Sequence, residues 1–349
     1  RYWRDWSSDV CSSDLSIALQ NLIIPITAIV IAIAILVWSA DRFVYGAAGT
    51  AKHLKVSPLI IGLVIMGFGT SAPEMMVSSL AALEGSPSIG IGNAIGSNIA
   101  NIALVLGFTA LIMPITVRSE ILRREFPLLL AITAATGIIL MDYSLDRVDG
   151  AILLTSLIVL LFWLIQSGKS NNNSESQDSL STEVSAELIE EIPQNLPIGW
   201  AIFWTITGLA FLLISSKVIV SSAVEIAEIF KVSELIIGLT IIAIGTSLPE
   251  LAASITAARK NEHDMAIGNI IGSNLFNILG VLALPGLIAP SIIEESVLNR
   301  DFTVMLSLTV LLYLMATIFK SDSKSIGRIE GAILLTCFVS YLWLLFTNS

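Results

Sequence analysis

Residues 57–102 match residues 233–278 without a gap at a constant offset of 176, with 24 identities in 46 positions. The first copy contains SPLIIGLVIMGFGTSAPE and the second SELIIGLTIIAIGTSLPE; downstream, GNAIGSNIANI faces GNIIGSNLFNI. Chance similarity between two apolar helices does not keep Gly, Ser, Pro, Glu and Asn in register, so the chain contains an internal repeat. The repeat continues in DRVDGAILLT (146–155) and GRIEGAILLT (327–336), at offset 181. Apolar runs at 22–45, 58–83, 88–113, 126–141, 148–166, 198–222, 234–258, 265–289, 302–319 and 329–346 give ten candidate helices, five in each unit. A unit that crosses a membrane five times enters and leaves on opposite sides, so the next begins from the other face. The expected fold is therefore an all-α polytopic membrane protein, ten transmembrane helices in two inverted-topology repeats. Such repeats place binding sites near the midplane, where Gly- or Pro-interrupted segments of the two halves meet.

Composition supports the membrane assignment. Only 13% of the 349 residues are charged and 55% are apolar, against about 25% charged in soluble domains, and the apolar residues arrive in blocks of membrane-span length. A net charge of −10 with no basic stripe excludes a nucleic-acid partner. Cys11 and Cys337 are too far apart in sequence and setting to suggest a disulfide framework or a cysteine metal site.

The expected organisation has four parts. Residues 1–15 resemble translated sequencing-adapter sequence, lack the shape of a signal peptide, and are set aside as a non-native tail. The first repeat covers 16–166, an acidic linker 167–196, and the second repeat 197–349. The linker holds one Lys and six acidic residues, a composition that does not build a core. With the N-terminus outside, twelve Lys and Arg lie at cytoplasmic helix ends and four at outer ends, leaving out Arg1 and Arg4. The positive-inside rule then puts both termini outside and the linker in the cytoplasm.

Two residues contradict their surroundings. Glu74 and Glu250 sit in the middle of the second and seventh apolar runs, where an ionised side chain costs about 2.5–3.5 kcal/mol on insertion scales. No Lys, Arg or His lies in the central part of the second, third, seventh or eighth runs, which leaves protonation or a bound cation to offset that cost. The neighbours suit a cation. Pro73 and Pro249 free the carbonyls of Gly69 and Gly245 from their helical bonds, and irregular backbone at membrane depth is tolerated where it lines a cavity. Ser97, Asn98 and Asn101 on the third run, matched by Ser273, Asn274 and Asn277 on the eighth, complete a hard-oxygen set suited to calcium and sodium. Individually, such Ser and Asn residues also serve as helix–helix contacts. Asp41, Lys217 and Glu225 lie towards helix ends and read as interfacial.

The paired GTS(A/L)PE and GN(A/I)IGSN segments resemble the cation/calcium exchanger superfamily, in its prokaryotic sodium/calcium exchanger branch, over residues 20–346. The resemblance implies an ion-binding core of helices two, three, seven and eight, with helices one and six as a mobile pair. It implies Glu74 and Glu250 as the central calcium-binding carboxylates and the carbonyls of Thr70 and Thr246 as further calcium ligands. Ser71, Ser97, Ser247 and Ser273 would build sodium sites, and Asn101 and Asn277 would line the centre. One departure matters: some members carry aspartate at the place of Asn277. Two carboxylates in place of three put the usual sodium stoichiometry in question and leave proton coupling open.

The expected function is a secondary antiporter exchanging calcium for sodium by alternating access in a prokaryotic inner (plasma) membrane, with a proton/calcium exchanger as the alternative. No cofactor and no obligatory protein partner is expected; the ligands are the transported ions and the lipid bilayer. An intramembrane enzyme would need a nucleophile–base pair or a metal triad, whereas His53 and His263 lie in or near loops. Channel activity would show as single-channel currents.

Overall fold

The structure is a computed structural model that describes residues 5–54, 58–117, 119–170, 196–229, 243–318 and 325–348. Helix α1 runs over Asp5–Leu54, through most of the tail set aside above. Helix α2 combines Pro58–Ile61, a π-helical Gly62–Met66 and Gly67–Thr70; α3 is Ala72–Leu83 and α4 Pro87–Ile112. Strand β1 (Ile115–Thr116), α5 (Ser119–Ile139), β2 (Ser144–Leu145) and α6 (Arg147–Ser170) complete the first half. The second half has α7 (Ile198–Ile229), α8 (Ala243–Thr246), α9 (Leu248–Arg259), α10 (His263–Ile288), β3 (Ser291–Ile292), α11 (Thr303–Ile318), β4 (Ser325–Ile326) and α12 (Arg328–Asn348).

Eight of the described helices are long and apolar enough to cross a membrane, and α2 with α3 makes a ninth if that bent pair is one span. Much of the matching stretch before α8 and α9, together with residues 171–195 of the acidic linker, lies outside the described residues. The described chain is mostly helical, as expected, with one addition. Two antiparallel two-residue ladders are present, β1 with β4 and β2 with β3. Both lie in connections between helices, where backbone groups no longer satisfied by helical bonds pair with one another instead.

The ladders are reciprocal. Ile115 pairs with Ile326 and Thr116 with Ser325; Leu145 pairs with Ser291 and Ser144 with Ile292. Moving β1 by 176 and β2 by 181 gives β3 and β4, so each pair is the repeat image of the other.

Burial is concentrated in α4 and α10, whose spans are mostly enclosed. Ile91, Ile95, Ile99 and Ile102 of α4 and Ile267, Ile270, Ile271 and Ile278 of α10 belong to the largest apolar cluster. Helices α1 and α7 pack closely on each other at the periphery: a methyl on Gly208 would meet the Phe43 backbone nitrogen at 2.5 Å, and one on Gly46 would overlap the Thr205 backbone nitrogen. Small residues also bring α2 onto α10, where a methyl on Gly272 would meet the Leu63 carbonyl. Such contacts let backbones approach where lipid offers no hydrophobic drive to associate.

Candidate ion-binding site

The apolar run carrying Glu74 breaks where the sequence suggested. Ser71 leaves the helical region at φ −83°, ψ 2°, Pro73 follows in the first turn of α3, and the axis bends by 40°. Ser247, at φ −87°, ψ 3°, and Pro249 repeat this at the start of α9. Proline supplies no N–H and favours the first turn of a new helix over the interior of an old one.

Glu74 and Glu250 are both fully buried, neither forms an ion pair among the described residues, and Glu250 lies within electrostatic reach of Glu74. Among the described residues, none forms a hydrogen bond to any of the four carboxylate oxygens. The same holds for the hydroxyls of Ser71, Ser97 and Ser247 and the side-chain amides of Asn98, Asn101, Asn274 and Asn277. Native proteins pair nearly all their buried polar groups. A set of buried carboxylate, amide and hydroxyl groups without partners among the described residues has the chemistry of a donor set for hard cations. Among the described residues no cluster of three or more His, Cys, Asp or Glu forms, so the donor set contains two carboxylates.

Thr70 and Ser273 differ from the others. The Thr70 hydroxyl is 3.0 Å from the Met66 carbonyl, 3.2 Å from the Ser273 hydroxyl and 3.4 Å from Oδ1 of Asn269. These contacts join the break of the first half to α10 of the second. Thr246 is only partly buried. Asn101 and Asn277 each open a π-helical turn, Asn101–Leu106 and Asn277–Val281; such turns are frequent at functional sites.

The sequence reading did not single out Asn93 and Asn269. Nδ2 of Asn93 donates to the Glu74 carbonyl at 3.2 Å and contacts the Ser78 hydroxyl at 3.3 Å. Nδ2 of Asn269 donates to the Glu250 carbonyl at 3.3 Å and to the Ser254 hydroxyl at 2.9 Å. Each asparagine thus fixes the backbone of the glutamate in its own half to the neighbouring buried helix. Both pairs are identical in the two copies of the repeat, which is the signal that could have found them.

The carbonyls freed by proline are not equivalent. Ser216 of α7 donates its hydroxyl to the Gly245 carbonyl at 2.8 Å, so this oxygen, expected to face the cavity, is taken by a peripheral helix. The matching position on α1 is Ala40, buried and without a hydroxyl.

A family profile described as sodium/calcium exchanger protein matches residues 24–166 and 200–347. A candidate antiporter of Alkalimonas amylolytica, CaxA, is 48% identical over 320 residues, covering 92% of this chain and 98% of that protein. The inner membrane protein YrbG of Escherichia coli is 40% identical over 320 residues, covering 91% and 95%. A solved structure of the sodium-calcium exchanger NCX_Mj superposes with a TM-score of 0.78 at 32% identity, covering 93% of this chain and 99% of that one.

Proposed function

The chain belongs to the sodium/calcium exchanger protein family, and from that premise we propose that it exchanges calcium for sodium across a prokaryotic inner (plasma) membrane by alternating access. The carrying observation is the pair of fully buried glutamates, one from each half, which among the described residues have no basic partner, together with buried hydroxyl and amide groups that have no hydrogen-bond partner there either. In this reading Glu74, Glu250 and the carbonyls of Thr70 and Thr246 hold calcium. Ser71, Ser97, Ser247 and Ser273 serve sodium, and Asn101 and Asn277 line the centre. The solved exchanger it resembles is named for sodium and calcium.

Ten spans in two inverted halves are part of the same proposal, and the reciprocal ladders support it. Strand β1 follows α4 and β2 follows α5, whose 21 residues extend about 31 Å, enough to carry the chain across a bilayer. Strand β3 follows α10 and pairs with β2, so α10 ends on the face opposite to the end of α4. The Lys and Arg distribution favours external termini and a cytoplasmic 167–196 linker.

Obligatory exchange follows from charge. With both glutamates ionised the site carries −2, and moving it uncompensated through a low-dielectric barrier costs several kcal/mol. One calcium neutralises it, as do two sodium ions using hydroxyl and carbonyl oxygens as further ligands. Only loaded forms switch, so one ion leaves before the other returns.

A proton/calcium exchanger is the second reading, favoured by Asn277 in place of a third carboxylate. The test is calcium uptake into reconstituted vesicles under imposed sodium, potassium and proton gradients. Uptake driven by sodium supports the first reading, uptake driven by a pH gradient the second, and uptake driven by neither overturns both.

A further inference from the structure

Asp41 of α1 forms an ion pair with Lys260, directly after α9, at 2.8 Å. Lys260 also lies 5.6 Å from the ring centre of Tyr45. The repeat offset of 176 moves Asp41 to Lys217 on α7 and Lys260 to Glu84 after α3. The offset holds in three dimensions at both places. Ser39 bonds the Leu36 carbonyl and Ser215 the Leu212 carbonyl, each at 3.0 Å. Glu84 and Lys260 precede the left-handed residues Gly85 (φ 82°) and Asn261 (φ 59°). The same closing bond follows in each turn, Ser86 N–H to the Ala81 carbonyl at 2.8 Å and Glu262 N–H to the Ala257 carbonyl at 2.9 Å.

Both signs are reversed between the halves. The repeat positions of the acid on α1 and the base after α9 hold a base on α7 and an acid after α3, so opposite signs survive although neither residue does. A protein with perfect two-fold symmetry would close both pairs at once. Here Glu84 and Lys217 are both exposed, and neither has an ion-pair partner among the described residues.

We propose that Asp41–Lys260 and Lys217–Glu84 are alternate positioning contacts of the exchange cycle, one closed in each of the two access states. The α1–α7 pair is peripheral, with an interface of its own, whereas Lys260 and Glu84 end helices that carry the glutamates. A shift of that pair relative to the broken helices trades one contact for the other. Exchanging the conformations of two inverted halves converts one access state into the opposite one; the same exchange converts the closed Asp41–Lys260 contact into a closed Lys217–Glu84 contact. Exposed ion pairs are individually weak, which suits contacts that must break in every cycle. This assignment rests on the reading of the chain as an alternating-access exchanger.

The test uses the full chain in vesicles with Cys11 and Cys337 replaced by alanine. Asp41→Cys with Lys260→Cys, and Glu84→Cys with Lys217→Cys, are treated with a short bifunctional thiol reagent. Each pair is expected to cross-link, and each cross-link to stop calcium flux. A variant carrying all four cysteines is expected to hold one cross-link or the other in any single molecule, read by mass spectrometry. Failure of the 84–217 pair to cross-link, or both cross-links in one molecule, overturns the proposal. The exclusivity is read without flux, so an uncross-linked protein that moves no calcium counts against the proposed function and not against this contact. Asp41→Lys, which sets two ammonium groups against each other, is expected to lower the 41-side state about fivefold. Adding Lys260→Asp is expected to restore it; absence of rescue also overturns the proposal.

Discussion

The Ser216 hydroxyl and the Gly245 carbonyl meet at 2.8 Å, joining a peripheral helix to the backbone that Pro249 leaves without its helical donor. Ser216→Ala leaves that buried acceptor unpaired, which costs about 1–3 kcal/mol. The expected outcome is a lower melting temperature of the detergent-solubilised protein in sodium- and calcium-free buffer. A melting temperature equal to the parent's would show that the carbonyl finds another donor.

Glu74→Gln and Glu250→Gln each remove one of the two charges proposed to hold the ion. Each variant is expected to insert and fold, because an amide at mid-bilayer is less costly than an ionised acid. Sodium-driven calcium flux into vesicles should fall to background in both. Near-normal flux in either would remove that residue from the site.

Asn93→Ala and Asn269→Ala leave the carboxylates in place and release their backbones. Losing hydrogen bonds worth about 1 kcal/mol each should raise the calcium concentration for half-maximal flux by roughly tenfold, with smaller effects on maximal rate. Asn269→Ala should be the more severe, because Oδ1 of Asn269 also faces the Thr70 hydroxyl at 3.4 Å. Equal effects of the two substitutions would argue against that cross-half contact.

Gly272→Ala inserts a methyl against the Leu63 carbonyl and within 2.8 Å of the Leu63 Cα, both backbone atoms. Helices α2 and α10 cannot then keep their separation, and the yield of folded protein by size-exclusion chromatography should collapse. Gly280→Ala meets only the flexible side-chain ends of Leu157 and Met75, at 3.2 and 3.6 Å. Its yield should stay close to the parent's.

Asp146 caps α6, accepting from the N–H groups of Val148 at 2.7 Å and Asp149 at 2.9 Å. The Asp149 N–H, followed by that of Val148, holds its carboxyl below the usual range. A lowered folded-state pKa gives stability that is present above the unfolded value of about 3.9 and is lost as pH falls through the folded one. Asp146→Asn should therefore lower the melting temperature at neutral pH by a small amount, with the gap to the parent closing below about pH 4. A gap independent of pH would assign the effect to packing.

The repeat made much of this arrangement readable in advance, because identical residues in register mark positions that both halves need. Glu74, Glu250, the Ser71 and Ser247 breaks and the Asn101 and Asn277 turns fall where the duplicated motifs put them. Asn93 and Asn269 stand in the same motifs without a mark of their own, since an asparagine that grips a backbone carbonyl has the same sequence appearance as one that faces an ion. Ser216 was beyond reach for the opposite reason: Ala40 stands at its repeat position, so self-comparison passes over it. The ladders were missed because two-residue strands in connecting segments carry no periodicity.

Those ladders bear on how the protein is made. Among the described residues all four strands pair with the opposite half, and β1 and β2 leave the ribosome before β3 and β4 exist. On the proposed inverted topology, the five-helix piece inserted first waits in the bilayer with both of its strand edges open, one near each surface. Maturation is then a single late event in which the second piece arrives and is stitched on at both surfaces, and a chain stopped after the acidic linker presents two sticky margins to any neighbouring copy.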